Sequence, residues 1–267
     1  REYVADVLAN RLETILPNGK GVWVPMDHGV SNFPEHGLQD TDSAVDAAIE
    51  GGADAIILHK GAITHQFERT GWKRFVCHAS ASTSHGGNRS QDKVLVANAS
   101  ESLDRGAIGI SAQVNLGDEY EADMIERLGA ITTDSNQNRI PVLGMMYPRG
   151  KNLSIDNSDI TGGVAHAARL AWELGCNVVK VPWTGSQDSF RIVTSSVPIP
   201  VLISGGPRDS TLSELLEVVE KAINSGGSGV CIGRQVFGSE DPASMIRALR
   251  AIVHDGDSSE EASRHLR

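Results

Sequence analysis

The stretch "VAHAARLAWELGCNVVKV", residues 164–181, holds two units. A helical segment ends at Gly175, a residue suited to the left-handed cap of a helix, and a short apolar run follows. The same order recurs in "AVDAAIEGGADAIILH" (44–59), "ESLDRGAIGISAQV" (101–114) and "LLEVVEKAINSGGSGVCIG" (215–233). These apolar runs do not alternate with polar residues, as expected of parallel strands covered on both faces. Helix alternating with strand means βα units. Four further runs, "GVWVPM" (21–26), "RFVCHAS" (74–80), "IPVLGMMY" (140–147) and "IPVLIS" (199–204), bring the strands to about eight, the number in a (β/α)8 barrel. An open doubly wound sheet fits less well, because no GxGxxG follows the first strand and the units run evenly to the end. The expected fold is therefore a single TIM barrel, one domain over residues 1–267, with a polar tail from His254 that frays or packs loosely.

Bulk properties narrow the function. The chain has 267 residues, enough to bury a substantial core, and its 40% hydrophobic and 22% charged content is that of a soluble globular protein. A net charge of -10 argues against nucleic acid or an anionic membrane surface as partner. No apolar run approaches the ~18 residues of a membrane span, and the charged start "REYVADVLANRLETILPNG" lacks a signal-peptide core. Cys77, Cys176 and Cys231 are isolated in apolar surroundings, which suggests reduced core thiols and a cytoplasmic location.

In such a barrel, chemistry belongs to the C-terminal ends of the strands. The first ends at Asp27 and His28, the second at His59 and Lys60, the fifth at Tyr147 and Arg149. The seventh ends in "SGGP" (204–207) and the eighth in "IGRQVF" (232–237). Two adjacent glycine loops expose backbone N–H groups at the usual phosphate corner of a barrel. A helix after "IGRQVF" would add its N-terminal dipole and Arg234 a charge. Lys180 is different, a charge inside an apolar strand. It can snorkel to the mouth, pair with a buried carboxylate or act as a nucleophile. Burial favours a neutral amine, which attacks carbonyls to give an imine, and the protonated imine is an electron sink for breaking or making a C–C bond. Tyr147 and Asp27 are placed to move the proton that this chemistry needs.

The motifs "PMDHGVSN", "LHKG", "MMYPRGK", "AHAARLAWELG", "VVKVPWTG", "ISGGP" and "IGRQVF" occur in the order of the archaeal-type class I aldolase family, which the chain resembles along nearly its whole length. That family holds Schiff-base fructose-bisphosphate aldolases and 2-amino-3,7-dideoxy-D-threo-hept-6-ulosonate synthases, and "PMDHGVS" and "MMYPRGK" look more like the synthase branch. The resemblance implies an imine on Lys180, acid/base work by Asp27 and proton donation by Tyr147. It implies substrate contacts at His28, Gly29, Val30, Ser31, Pro148 and Arg149, and phosphate contacts at Gly205, Gly206, Gly233 and Arg234. It implies a phosphorylated sugar and L-aspartate semialdehyde as substrates, no metal or cofactor, and a homo-oligomer. The chain departs from the family pattern at Phe33 (expected Gly), Trp183 (Tyr), Ser186 (Asp) and the loop 79–91, all near the mouth and so bearing on substrate identity.

Three other classes compete. A metal-dependent enzyme would use His78 and His85, but no HExxH or tight Cys/His cluster is present. A phosphate-gripping isomerase would use Asp27 without a covalent step. A non-enzymatic sugar-phosphate-binding barrel would keep the glycine corner and tolerate loss of Lys180, Tyr147 or Asp27, all of which are present.

Overall fold

The computed structural model describes residues 2–156, 158–206 and 210–266, so Pro207 of the "SGGP" loop lies outside the described residues. Eight parallel strands close into a barrel. They are β1 (Gly21–Pro25), β2 (Ala55–Leu58), β3 (Phe75–His78), β4 (Ala107–Leu116), β5 (Val142–Pro148), β6 (Val178–Val181), β7 (Val201–Ser204) and β8 (Gly229–Cys231). Each pairs with its sequence neighbours, and β8 closes on β1 through the register Val22 to Val230. The fold is the expected (β/α)8 TIM barrel. One element was not expected: a short antiparallel ribbon, Ser80–Ala81 with Val94–Leu95, formed within the loop after β3.

The non-alternating runs have a simple cause. Trp23, Ile57, Val76, Leu143, Met145, Val178, Leu202 and Cys231 point inward and fill the barrel, while Val22, Val24, Ile56, Val179, Val181 and Val230 point outward beneath the helices. Below the mouth both faces of the strands are therefore dry. The lower end of the barrel is plugged by the chain's first helix, Glu2–Ile15: Ile15 and Leu16 join the interior cluster, and the Trp23 indole donates to the Ile15 carbonyl at 2.6 Å.

Asp54, just before β2 and 1% exposed, ties this lower face together. It accepts from the Val22 N–H at 2.8 Å, His254 at 2.7 Å and Arg250 at 3.1 Å. The tail consequently does not fray, contrary to the expectation. His254 is anchored on Asp54, Ser258 caps a helical turn over Ser259–Ala262, and Ala262 is fully buried. Asp54→Ala would leave the Val22 amide without its acceptor, strip His254 of its partner and leave Arg250 only the Gly52 carbonyl. We expect a loss of about 2–4 kcal/mol and a fall in Tm of roughly 5–12 °C with the barrel otherwise intact, checked by thermal unfolding.

Candidate active site

The upper end of the barrel opens into a cavity of about 510 Å³. Asp27, His28, Ser31, Tyr147, Arg149, Lys180, Gly205, Gly206, Gly233 and Arg234 all line it, so the strand ends marked by the sequence converge. Gly29, Val30 and Pro148 do not line it, and Val30 faces solvent. The two lysines marked at strand ends separate cleanly. Lys60 turns outward to Glu101, at 3.1 Å, while Lys180 is 7% exposed and points into the cavity.

Lys180 sits on β6 between Met145 of β5 and Leu202 of β7 in register. The run Val178–Val179–Lys180–Val181 alternates inward and outward, and Lys180 takes the uppermost inward position. Its amine lies 5.8 Å from the centre of the Tyr147 ring and faces the Cys231 thiol. The Arg149 guanidinium lies over the same ring at 4.5 Å. Burial favours the neutral amine of Lys180, but Cys231, Tyr147 and Asp27 favour the ammonium and prevail, so its pKa lies above the ordinary lysine value. The expectation that burial discharges this lysine is thus reversed. Burial pushes the Cys231 thiol up to about 11, so near neutral pH it is uncharged and Asp27 supplies a full negative charge to the ammonium.

Asp27 follows β1 at the start of the turn His28–Ser31, the position of a helix cap, yet its side chain makes no capping hydrogen bond. It is left to the cavity. Burial opposes its carboxylate, but His78, His28, His59 and Lys180 favour it and hold it well below the usual carboxylate range. Burial in turn pulls each of the three imidazoles downward, His78 to about 3. His78 stands 3.8 Å from Asp27 and 2.7 Å from the Ser111 hydroxyl, with His59 stacked edge-on at 5.3 Å. His85, its companion in the metal reading, lies exposed and outside the cavity lining.

The glycine corner has two kinds of glycine. A side chain at Gly233 would meet the Pro25 carbonyl at 2.5 Å and His28 at 2.7 Å, so packing demands glycine there. At Gly206 nothing among the described residues lies nearer than the Ser210 hydroxyl at 3.5 Å, so their packing makes no such demand. The expected helix after "IGRQVF" starts earlier, at Arg234 itself, and runs only to Phe237, because Gly233 already provides the turn.

The four departures from the family pattern sort differently from expectation. Phe33 is 64% exposed and Trp183 packs on Phe190 at 5.1 Å, lining a second cavity of about 680 Å³. Ser186 caps the helix Gln187–Ser195, a task an aspartate performs equally well. Only the loop after β3 reaches the main cavity, through Ser82, Thr83, Ser84, Ser90 and Gln91. Sequence reading also missed Lys93, Gln113 and Cys231 in the lining. Their one signal is polar or reactive residues inside or beside buried strands.

Comparison with known proteins places this geometry. The DeoC/LacD family aldolase profile matches residues 22–239. The chain is 38% identical over 256 residues to 2-amino-3,7-dideoxy-D-threo-hept-6-ulosonate synthase 1 of Archaeoglobus fulgidus, covering 94% of this chain and 92% of the relative. It is 37% identical to 2-amino-4,5-dihydroxy-6-oxo-7-(phosphonooxy)heptanoate synthase of Streptomyces griseus, covering 87% and 84%. An archaeal fructose-1,6-bisphosphate aldolase, solved with its catalytic lysine covalently bound to the carbinolamine intermediate of its substrate, superposes with a TM-score of 0.80. It is 26% identical to this chain and covers 92% of it and 99% of that structure. Among the described residues no helix is long and apolar enough to cross a membrane. With the profile running from β1 past β8 and these relatives matched almost end to end, the chain belongs to the DeoC/LacD family of aldolases.

Proposed function

We propose that the chain is a class I aldolase that forms an imine between Lys180 and a phosphorylated ketose, and that its reaction is that of 2-amino-3,7-dideoxy-D-threo-hept-6-ulosonate synthase. The observation that carries this reading is the buried Lys180 aimed into a cavity that also holds Asp27 and Tyr147. An amine confined there adds to a ketone carbonyl to give a carbinolamine, and loss of water gives the imine. The protonated imine takes up the electron pair of the adjacent C–C bond when that bond breaks. The resulting enamine attacks an acceptor aldehyde, and water then releases the product and restores the lysine. Asp27 and Tyr147 handle the protons at the reacting carbon and oxygen.

Gly206 supports a phosphate at the β7 and β8 corner. Packing tolerates a side chain there, so the bare backbone is better explained by the approach of a ligand. Arg234 adds a charge on the same side. His28, Ser31 and Arg149 complete the substrate contacts in this reading, with L-aspartate semialdehyde as acceptor. Fructose-bisphosphate cleavage is the second reading, favoured by the likeness to the archaeal aldolase structure. On either reading we infer that the chain acts in the cytoplasm as one domain over 1–267 and assembles with copies of itself.

Borohydride with a ketose phosphate should add the donor's mass to the peptide holding Lys180, and Lys180→Met should fold normally and take up none. An adduct on Lys60 instead, read by peptide mass spectrometry, contradicts the proposal. Asp27→Asn removes a full negative charge facing the amine, so the Lys180 pKa should fall. The rise of the trapping rate with pH should move to lower pH while turnover drops by about 10²–10⁴. An unshifted profile would place the countercharge elsewhere. The two substrate readings separate by kcat/KM. Fructose 1,6-bisphosphate should be a poor substrate beside L-aspartate semialdehyde with a phosphorylated diulose, and the reverse ranking would make the chain a fructose-bisphosphate aldolase.

A further inference from the structure

Lys93 takes no part in the imine chemistry, yet it is 8% exposed and lines the cavity. Its ammonium donates to the Ser82 hydroxyl at 2.8 Å. The backbone around it is fixed: Arg127 donates to the Lys93 carbonyl at 2.8 Å, and the buried carboxylate of Asp92 is engaged on both oxygens by Arg89 and Arg127. Asp92 thus orients the segment and has nothing left for Lys93. Arg149 faces the same wall, held by its bond to the Asn115 side-chain oxygen at 3.0 Å, which Gln113 also reaches at 2.9 Å. Burial, then the charge of Arg149, pull Lys93 below the ordinary lysine range. Among the described residues neither cation has an ion-pair partner.

Lys93 is a buried ammonium and Arg149, more exposed at the mouth, adds a second positive charge to the same wall, an arrangement that is costly unless a negative charge joins them. Their place in the ring suggests which one. Going round the barrel, β6 with Lys180 lies two strands from β8 and two from β4. The glycine corner is on one flank of the lysine. Lys93, in the loop between β3 and β4, is on the other. A bond formed at the carbon next to the imine carbon would join a donor reaching toward one flank to an acceptor reaching toward the other. The Streptomyces griseus relative is named for a heptanoate bearing a phosphonooxy group at its opposite end, an anion at each terminus.

We propose that Lys93 and Arg149 form a second anion subsite that holds the negatively charged group at the far end of the acceptor aldehyde, making Lys93 a specificity-determining residue. The proposal rests on the aldolase reading, because only a carbon–carbon bond-forming enzyme has an acceptor to hold. Its chemistry suits either a carboxylate or a phosphate.

The test compares wild type, Lys93→Met and Lys93→Arg on three acceptors: L-aspartate semialdehyde, D-glyceraldehyde 3-phosphate and uncharged propanal. In Lys93→Met the acceptor KM should rise about 10- to 100-fold for the anionic acceptor that the site serves, the usual loss for a charge-assisted hydrogen bond. The acceptor with the larger rise identifies carboxylate or phosphate as the group held. KM for propanal should not change, donor trapping on Lys180 should persist, and Lys93→Arg should restore most of the loss. Equal losses on all three acceptors, or no loss on either anionic one, overturn the subsite. Failure of the wild type to form any imine would instead defeat the aldolase reading alone. Titration calorimetry with L-homoserine and with inorganic phosphate still reads the subsite in that case. One of the two should bind more weakly to Lys93→Met than to wild type, and equal affinities overturn the proposal.

Discussion

The upper half of this barrel is organised by the opposition of Lys180 and Asp27. An ammonium enclosed by Met145, Leu202 and Cys231 persists only if a negative charge faces it, and Asp27 is free to do so because it forgoes the cap of its own helical turn. The histidines around Asp27 follow from the same constraint. Burial pulls each of them below the ordinary histidine value, so the site that holds Asp27 as a carboxylate also disfavours charge on the imidazoles beside it.

This arrangement sets the order of proton movement in the proposed reaction. A resting ammonium cannot attack a carbonyl, so its proton must leave before the carbinolamine forms. Asp27 is the facing base, yet its carboxylate is held well below the usual range, which makes it a reluctant acceptor until the charge beside it has gone. Deprotonation of the lysine and protonation of the aspartate are thus coupled through their mutual field. Tyr147 stands beside the amine beneath the guanidinium of Arg149, within reach of the reacting atoms that Lys180 would hold.

The parts of the structure that were legible in sequence are those fixed by local rules. Gly175 after a helix announced β6, and Lys180 announced itself because nothing else in that strand is polar. The loop between β3 and β4 obeys no such rule. Lys93 points inward because Asp92 binds Arg127, a residue on the helix Glu121–Asn138 whose nearness no periodicity in the loop reveals. The residues just after Lys180 show the same limit, although Trp183 lines a cavity that shares Gly205 and Gly206 with the main one. Trp183 and Ser186 follow Lys180 closely in sequence, but the chain turns outward there, and Trp183 packs on Phe190 while Ser186 starts the next helix. The tail looked unanchored because its partner, Asp54, lies 200 residues earlier.

In the proposed arrangement the two flanks of the cavity are built from different materials. The donor flank is backbone, supplied by glycines of which Gly233 admits no side chain. Substitution at Gly233 meets the fold before it meets the ligand, so that part of the flank resists change. The acceptor flank is side chain, carried by Lys93, Ser82 and Gln113 on and beside a loop outside the barrel's own hydrogen-bonded ring. A loop residue can change there without disturbing β3 or β4, and a change of charge alters the group that the acceptor must carry. A family with one imine chemistry and several acceptors would vary on this flank. The departures in this chain agree, since of the four only the loop after β3 reaches the cavity.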